Sequence, residues 1–341
     1  MKYYHLIAGL PDIRIEDNKL TFSIADFKRE VRPQLSMFDV WAMDLFFMKF
    51  DNQNLLRYLK DKEAEFDERG GITKEKMEEC LRLISAAGKS KNKDFLSYFK
   101  PKNNNLPSYI NTFVSEYKDA QQDEVIDAQP VEDEDDVLPV EEEIVLPEED
   151  DEDAPPVEDK ADDLQPMDIN DTAKWENRLA GLYYKWAMKC NNELISDWFE
   201  FNLNINNILA ACAGRKYKMD VEVLGDNKVA EAIKTSKQRD FGLAETIEDI
   251  DIFLRLADEP DLFEREKKLD LIKWQWLDDQ TFTKYFSIEV IFAYLIKLEI
   301  IERWVSFDPI EGGKLFRSWI NSLKESVINS PELINLKKNE L

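Results

Sequence analysis

Between Asp119 and Asp163 the chain carries 22 aspartates and glutamates against a single lysine, and no compact fold can take in such a run. Blocks such as VEDEDD, EEE and EEDDED repel themselves, and Pro130, Pro139, Pro147, Pro155 and Pro156 interrupt any helix. The few aliphatic residues, as in DVLPVEEEIVLPEE, are too sparse for a core. The stretch 119–170 therefore reads as a disordered insert, and folding must happen on either side of it. The insert also absorbs the charge. Of the formal net charge of −26, the 22 acids less one lysine supply −21, leaving an ordinary −5 for the rest.

Outside the insert the chain is rich in core material and poor in turns. Hydrophobic residues make up 43%, with 20 Phe and 8 Trp, while only 10 Gly and 13 Pro are spread over 341 residues. Long segments repeat their apolar residues at helical spacing. Thr73 is placed to cap TKEKMEECLRLISAA, which Gly88 ends. Glu259-Pro260 is expected to open the helix PDLFEREKKLDLIKWQWL, with Pro at its first position, and Ser330-Pro331 to open a last helix. Strand-like alternation occurs in DIRI and KLTFSI around Glu16-Asp17-Asn18, which predicts a small N-terminal hairpin. The class is mostly or wholly α.

Three segments share a pattern: an aromatic residue, a polar one five positions later, and a second polar one three beyond that. In LFFMKFDNQNLLRYL these are Phe46, Asp51 and Asn54. In DWFEFNLNINNILAAC they are Phe199, Asn204 and Asn207, and in AYLIKLEIIERW they are Tyr294, Glu299 and Glu302. With the insert removed, the copies recur roughly every 100 residues, the period of three stacked helical units. Residues three apart share a helix face, so each copy sets two polar groups on a helix that is otherwise apolar nearly all round. Such a helix is buried, and its carboxylates and amides need partners. We expect polar ties between core helices, with Glu299 also reaching Arg303 one turn on. Solvated acids on three amphipathic helices are the alternative reading. Expected lobes are 1–118, 171–258 and 259–341.

The second copy, NLNINNILAACAGRKYKM, resembles the motif of the C/d subunit family of V-type and A-type rotary ATPases through Asn204, Asn207, Ile208, Leu209, Gly214, Arg215 and Lys216. The third copy is similar to that family's Tyr-led helix but has Glu302 where Asn is usual, followed by Arg303. The first matches through Asp51, Asn54 and Leu55 without the Gly-Lys turn. The opening YYHLIAGLPDI, with KLEIIERW, also resembles a bacterial family, chiefly from Bacteroidetes, whose genes accompany those of V-type ATPase subunits. The resemblance implies an all-helical subunit of three repeat lobes, without an active site or cofactor. It would be cytoplasmic and peripheral, linking the central shaft to the membrane proteolipid ring at the inner face of the plasma membrane through protein contacts.

The residues that could carry chemistry point in the same direction. His5 is the only histidine and lies in a short apolar stretch, so no Ser-His-Asp, Cys-His or histidine-metal device has visible partners. Three scattered cysteines, Cys80, Cys190 and Cys212, fit a reducing compartment and form no CxxC. AAGKS at 86–90 lacks the glycine that a phosphate loop needs five before Gly88, where Leu83 stands. Asp51–Asn54 begins like a calcium loop, but Leu56 replaces the required glycine. Glu299 and Glu302 would be the acid and base of a hydrolase, were there one. The basic run containing Arg215, Lys216 and Lys218 alternates along the chain with acids, which reads first as an ordinary mixed surface and disfavours nucleic acid, a protein-facing interaction surface being the alternative. The start of the chain is too short for a signal peptide, and the apolar stretch 288–296 contains Glu289. A second functional reading is an acidic helical adaptor, chaperone-like, that binds proteins through its insert.

Overall fold

The computed structural model describes residues 2–15, 21–88, 107–127, 172–247 and 249–306. All regular structure among them is helical, so the class is all-α. The elements are α1 (Tyr4–Gly9), α2 (Ile24–Glu30), a 3-10 turn (Arg32–Gln34), α3 (Met37–Lys60), α4 (Lys74–Gly88), α5 (Ser108–Asp127) and α6 (Thr172–Ala187). They continue with α7 (Glu193–Tyr217), α8 (Lys228–Thr235), α9 (Ile250–Asp258), α10 (Leu262–Thr281) and α11 (Ile288–Ser306).

The chain divides into two compact units, Met1–Met43 with Arg255–Leu341, and Asp44–Leu254. This differs from the lobes expected at 1–118, 171–258 and 259–341. The N-terminal segment belongs with α10 and α11 because the apolar face of α2 needs a partner and finds α11. Ile24 and Phe27 are fully buried, and the Ile24 amide donates to the Glu302 carboxylate at 2.9 Å.

Within the first unit, α10 and α11 pack against each other, and α11 also packs on α2. α11 is apolar nearly all round, and nine of its residues are buried, including Ile291, Phe292, Leu295 and Leu298. Each such side chain contributes about 1.5–3 kcal/mol when taken out of water. No hairpin forms in the described residues near the N-terminus: 12–15 are irregular and Ile24 opens a helix, while 16–20 lie outside the described residues. The alternation in KLTFSI loses to a local capping box. The Ser23 hydroxyl accepts from the Asp26 amide at 3.1 Å and the Asp26 carboxylate accepts from the Ser23 amide at 3.0 Å, which nucleates α2. α10 likewise starts later than Pro260. Asp261 caps it by accepting from the amides of Phe263 and Glu264 at 2.9 and 3.3 Å, leaving Pro260 just outside.

In the second unit α4 packs on α5, α5 on α6, α6 on α7 and α7 on α8. Aromatic side chains fill the α5–α6 seam, with Trp175 meeting Tyr117 edge-on at 4.9 Å and Phe113 at 5.8 Å. Arg178 on α6 grips the Glu116 carboxylate of α5 with both nitrogens, at 2.6 and 2.5 Å. Thr73 caps α4, its hydroxyl accepting from the Lys76 amide at 3.4 Å. α5 continues to Asp127, eight residues beyond the expected start of the insert. Residues 128–170, Lys89-Ser90 of AAGKS and Ser330-Pro331 lie outside the described residues. Among those described, no helix is long and apolar enough to cross a membrane.

Candidate functional site

The motif residues do something more specific than join helix to helix. On α3, Asn54 is fully buried and reads the backbone of the following loop with its whole carboxamide. Its oxygen accepts from the Asp67 amide at 2.7 Å and its nitrogen donates to the Asp67 carbonyl at 3.0 Å. One turn earlier, buried Asp51 accepts from the Ile72 amide at 2.9 Å, just before the Thr73 cap. The loop lies so close that a β-carbon on Gly70 would stand 2.6 Å from the Asp51 carboxylate and 3.0 Å from the Asn54 nitrogen. Only glycine fits there. Arg69 completes the loop by binding the Asp67 carboxylate, with its Nη2 at 2.7 Å. Arg69 also lies over the Phe50 ring at 4.3 Å. Its guanidinium holds Asp67 below the usual carboxylate range.

α7 repeats the device. Asn207, also buried, accepts from the Leu224 amide at 2.9 Å and donates to the Leu224 carbonyl at 2.8 Å. One turn earlier, Asn204 accepts from the Asn227 side chain at 2.8 Å. Asn227 in turn caps α8 through the Ala230 amide at 2.9 Å. Both copies thus place a carboxamide clasp on a loop and a second polar contact at the threshold of the next helix. The aromatic residues lead equivalently: Phe46 and Phe199 are both buried.

The third copy, on α11 in the other unit, anchors a helix start with a carboxylate. Glu302 accepts from the Ile24 amide, at the first position of α2. Residues beyond Ser306 lie outside the described residues. The ring of Tyr294 stacks near Phe27 at 6.4 Å. Its buried hydroxyl has no partner among the described residues. Burial, with some help from the charge of Asp12, pushes its pKa up to about 12.

Arg303 takes a partner the sequence did not suggest. It donates, not to the Glu299 expected one turn away, but to Asp270 on α10. The same carboxylate oxygen accepts from the Trp304 indole at 2.7 Å. Asp270 is 1% exposed, and a carboxylate so buried requires a cation and further donors. Trp304 also meets Phe263 edge-on at 5.1 Å, which closes the far end of the α10–α11 pair. Burial holds the nearby Lys273 ammonium below the ordinary lysine range, against the opposing pull of Asp270.

The basic run at the end of α7 divides in two. Arg215 is engaged: it donates to the carbonyls of Gln238 and Ser236, the latter at 2.6 Å. Its guanidinium also sits 3.9 Å over the buried Phe241 ring. Lys216 and Lys218 are exposed. Gly214 is not the turn residue; it lies inside the helix, where a β-carbon would meet Val221 at 2.8 Å. The left-handed turn falls on Lys218, with φ 55°, and Met219 closes it by donating to the Gly214 carbonyl at 3.0 Å. His5 is exposed on α1. Cys80 and Cys190 are buried, which raises both thiols.

The chemistry of these groups is that of fastening. Asn54 and Asn207 use oxygen and nitrogen together on backbone, and Asp270 is matched by a guanidinium and an indole. No match to the chain was found among curated proteins or among solved structures. Residues 1–327 match the family described as "Protein of unknown function (DUF2764)", and the chain belongs to that family.

Proposed function

We propose that this protein is a non-catalytic coupling subunit of a V/A-type rotary ATPase, joining the central shaft to the membrane proteolipid ring. In this reading its ancestral lobes are three, it stays at the inner face of the plasma membrane through protein contacts, and it binds no nucleic acid. The observation that carries the reading is the doubled clasp, Asn54 on Asp67 and Asn207 on Leu224, on the very segments that resemble the C/d subunit motif. A coupler must not bend under torque. Buried side chains that lock loop backbone to helix remove the soft joints where bending would occur, because unmaking them strands buried polar groups.

Purification from native membranes under gentle solubilisation tests the proposal. A tagged full-length chain is expected to bring down shaft and proteolipid subunits in fixed ratio. Their absence from an otherwise intact preparation refutes it.

A further inference from the structure

The end of α7 lies where the acidic stretch leaves the second unit and returns to it. Late in α5, Tyr117 meets Trp175 early in α6 at 4.9 Å, while Tyr109 early in α5 meets Trp186 late in α6 at 6.2 Å. The two helices are therefore antiparallel, and Asp127 and Thr172 stand at one end of the unit. Helix α7 runs back along α6, with Phe199 beside Tyr183 at 5.6 Å and the Asn206 side chain 3.2 Å from the Tyr184 hydroxyl. With 25 residues against 16, α7 finishes at that same end. There the charge of Glu222, just beyond α7, acts on the Arg178 guanidinium of α6.

The fold sorts what the sequence interleaves. Arg215 holds the carbonyls of Ser236 and Gln238, which brings Lys237 and Arg239 alongside Lys216 and Lys218. Of the acids in between, Glu222 faces Arg178, Asp226 pairs with Lys185 at 2.8 Å and Glu231 lies on α8. Asp220 and Asp240 remain with the five cations, and Asp240 already accepts from the Gly242 amide at 3.1 Å. Lys216, Lys218 and Lys237 are exposed and form no ion pair among the described residues. Set among them, Tyr217 and Met219 are each 64% exposed. The macrodipole of α7 accounts for bases in its last turn, but not for a bare tyrosine and methionine or for Lys237.

The chemical complement lies on the chain between Asp127 and Thr172. From Glu132 to Asp159 there are 16 acids and no lysine or arginine, and VLPVEEEIVLP at 137–147 sets aliphatic residues between the carboxylates. Ten residues of chain reach up to about 33 Å, so length is no bar from either end. Tethering also supplies a local concentration on the order of millimolar. We propose that the acidic segment 132–153 docks on the end of α7, its carboxylates on Lys216, Lys218 and Lys237 and its aliphatic residues on Tyr217 and Met219. Exposed charge pairs are screened by salt, so the contact holds at low ionic strength and is released at about 1 M. It holds or fails independently of the coupling proposal.

Photo-crosslinking in the purified full-length chain tests it, with benzoylphenylalanine in place of Tyr217. At low salt the monomer is expected to link to a peptide within 128–163. Mixing with isotope-labelled chain separates links within one molecule from links between two. The yield is expected to fall about tenfold in about 1 M salt, and as far when Lys216→Glu, Lys218→Glu and Lys237→Glu are combined, but to persist when the same lysines become arginine. Should the glutamate variant misfold by circular dichroism, changing the acids of 132–153 to glutamine leaves the helices untouched and is expected to give the same loss. No link to the segment, links only between two chains, or a yield indifferent to salt and to these charges each overturn the proposal, the last because a tether alone brings the two together.

Discussion

Replacing Asn207 with alanine removes both ends of one clasp. Asn207 is 2% exposed, and its two bonds to Leu224 measure 2.9 and 2.8 Å. The substitution leaves the Leu224 N–H and C=O without partners. A stranded buried group costs about 1–3 kcal/mol. Leu224 is only half-buried, so water recovers part of that. The net loss is expected to be about 2–4 kcal/mol, read as a fall in the urea midpoint by circular dichroism at constant slope. The adjacent Asn206 is exposed and donates to the Tyr184 hydroxyl at 3.2 Å. Its alanine variant should stay within about 0.5 kcal/mol of the parent. Equal effects at 206 and 207 would refute the reasoning, because burial and backbone pairing are what separate the two.

Gly70→Ala should destabilise by about 1–3 kcal/mol, since its β-carbon meets Asp51 at 2.6 Å; a neutral result by thermal unfolding would mean the loop is not held on α3. Glu302→Leu is expected to cost about 1–3 kcal/mol by stranding the buried Ile24 amide, with Glu302→Gln costing less because it keeps an acceptor. Acid titration should weaken the protein partly through Asp67. Its folded carboxyl is held below the ordinary aspartate range by Arg69, so its stabilisation is whole above about pH 4. It is lost as pH falls from there through the folded value, and Arg69→Met should flatten that part of the curve.

The helices and their buried faces were legible because a 3.6-residue period is written into each segment alone. The polar residues of the motifs stood out for the same reason, as Asn54, Asn207 and Glu302 interrupt apolar faces. Their partners did not stand out. Asn54 and Asn207 bind backbone 13 and 17 residues away, and a backbone amide carries no mark in the sequence. Asp270 was overlooked because it pairs with Arg303 at a separation of 33 residues, beyond any single-helix rule. The expected pairing of Glu299 with Arg303 follows the i,i+4 rule within one helix, whereas Asp270 lies on another. The placement of the first 43 residues with α10 and α11 depends on contacts such as Ile24 with Glu302, 278 residues apart. The misread hairpin shows local capping chemistry prevailing over a short alternation.

Native-state hydrogen exchange at the amides of Asp67, Ile72 and Leu224 tests most directly whether buried side chains fasten the loops to the motif helices. Each of these N–H groups donates to Asn54, Asp51 or Asn207 rather than to a helix ladder. They are expected to exchange as slowly as the helical amides of α3 and α7, and to lose that protection at Asp67 in Asn54→Ala and at Leu224 in Asn207→Ala. Exchange at the rate of open loops in the unaltered protein would contradict the account.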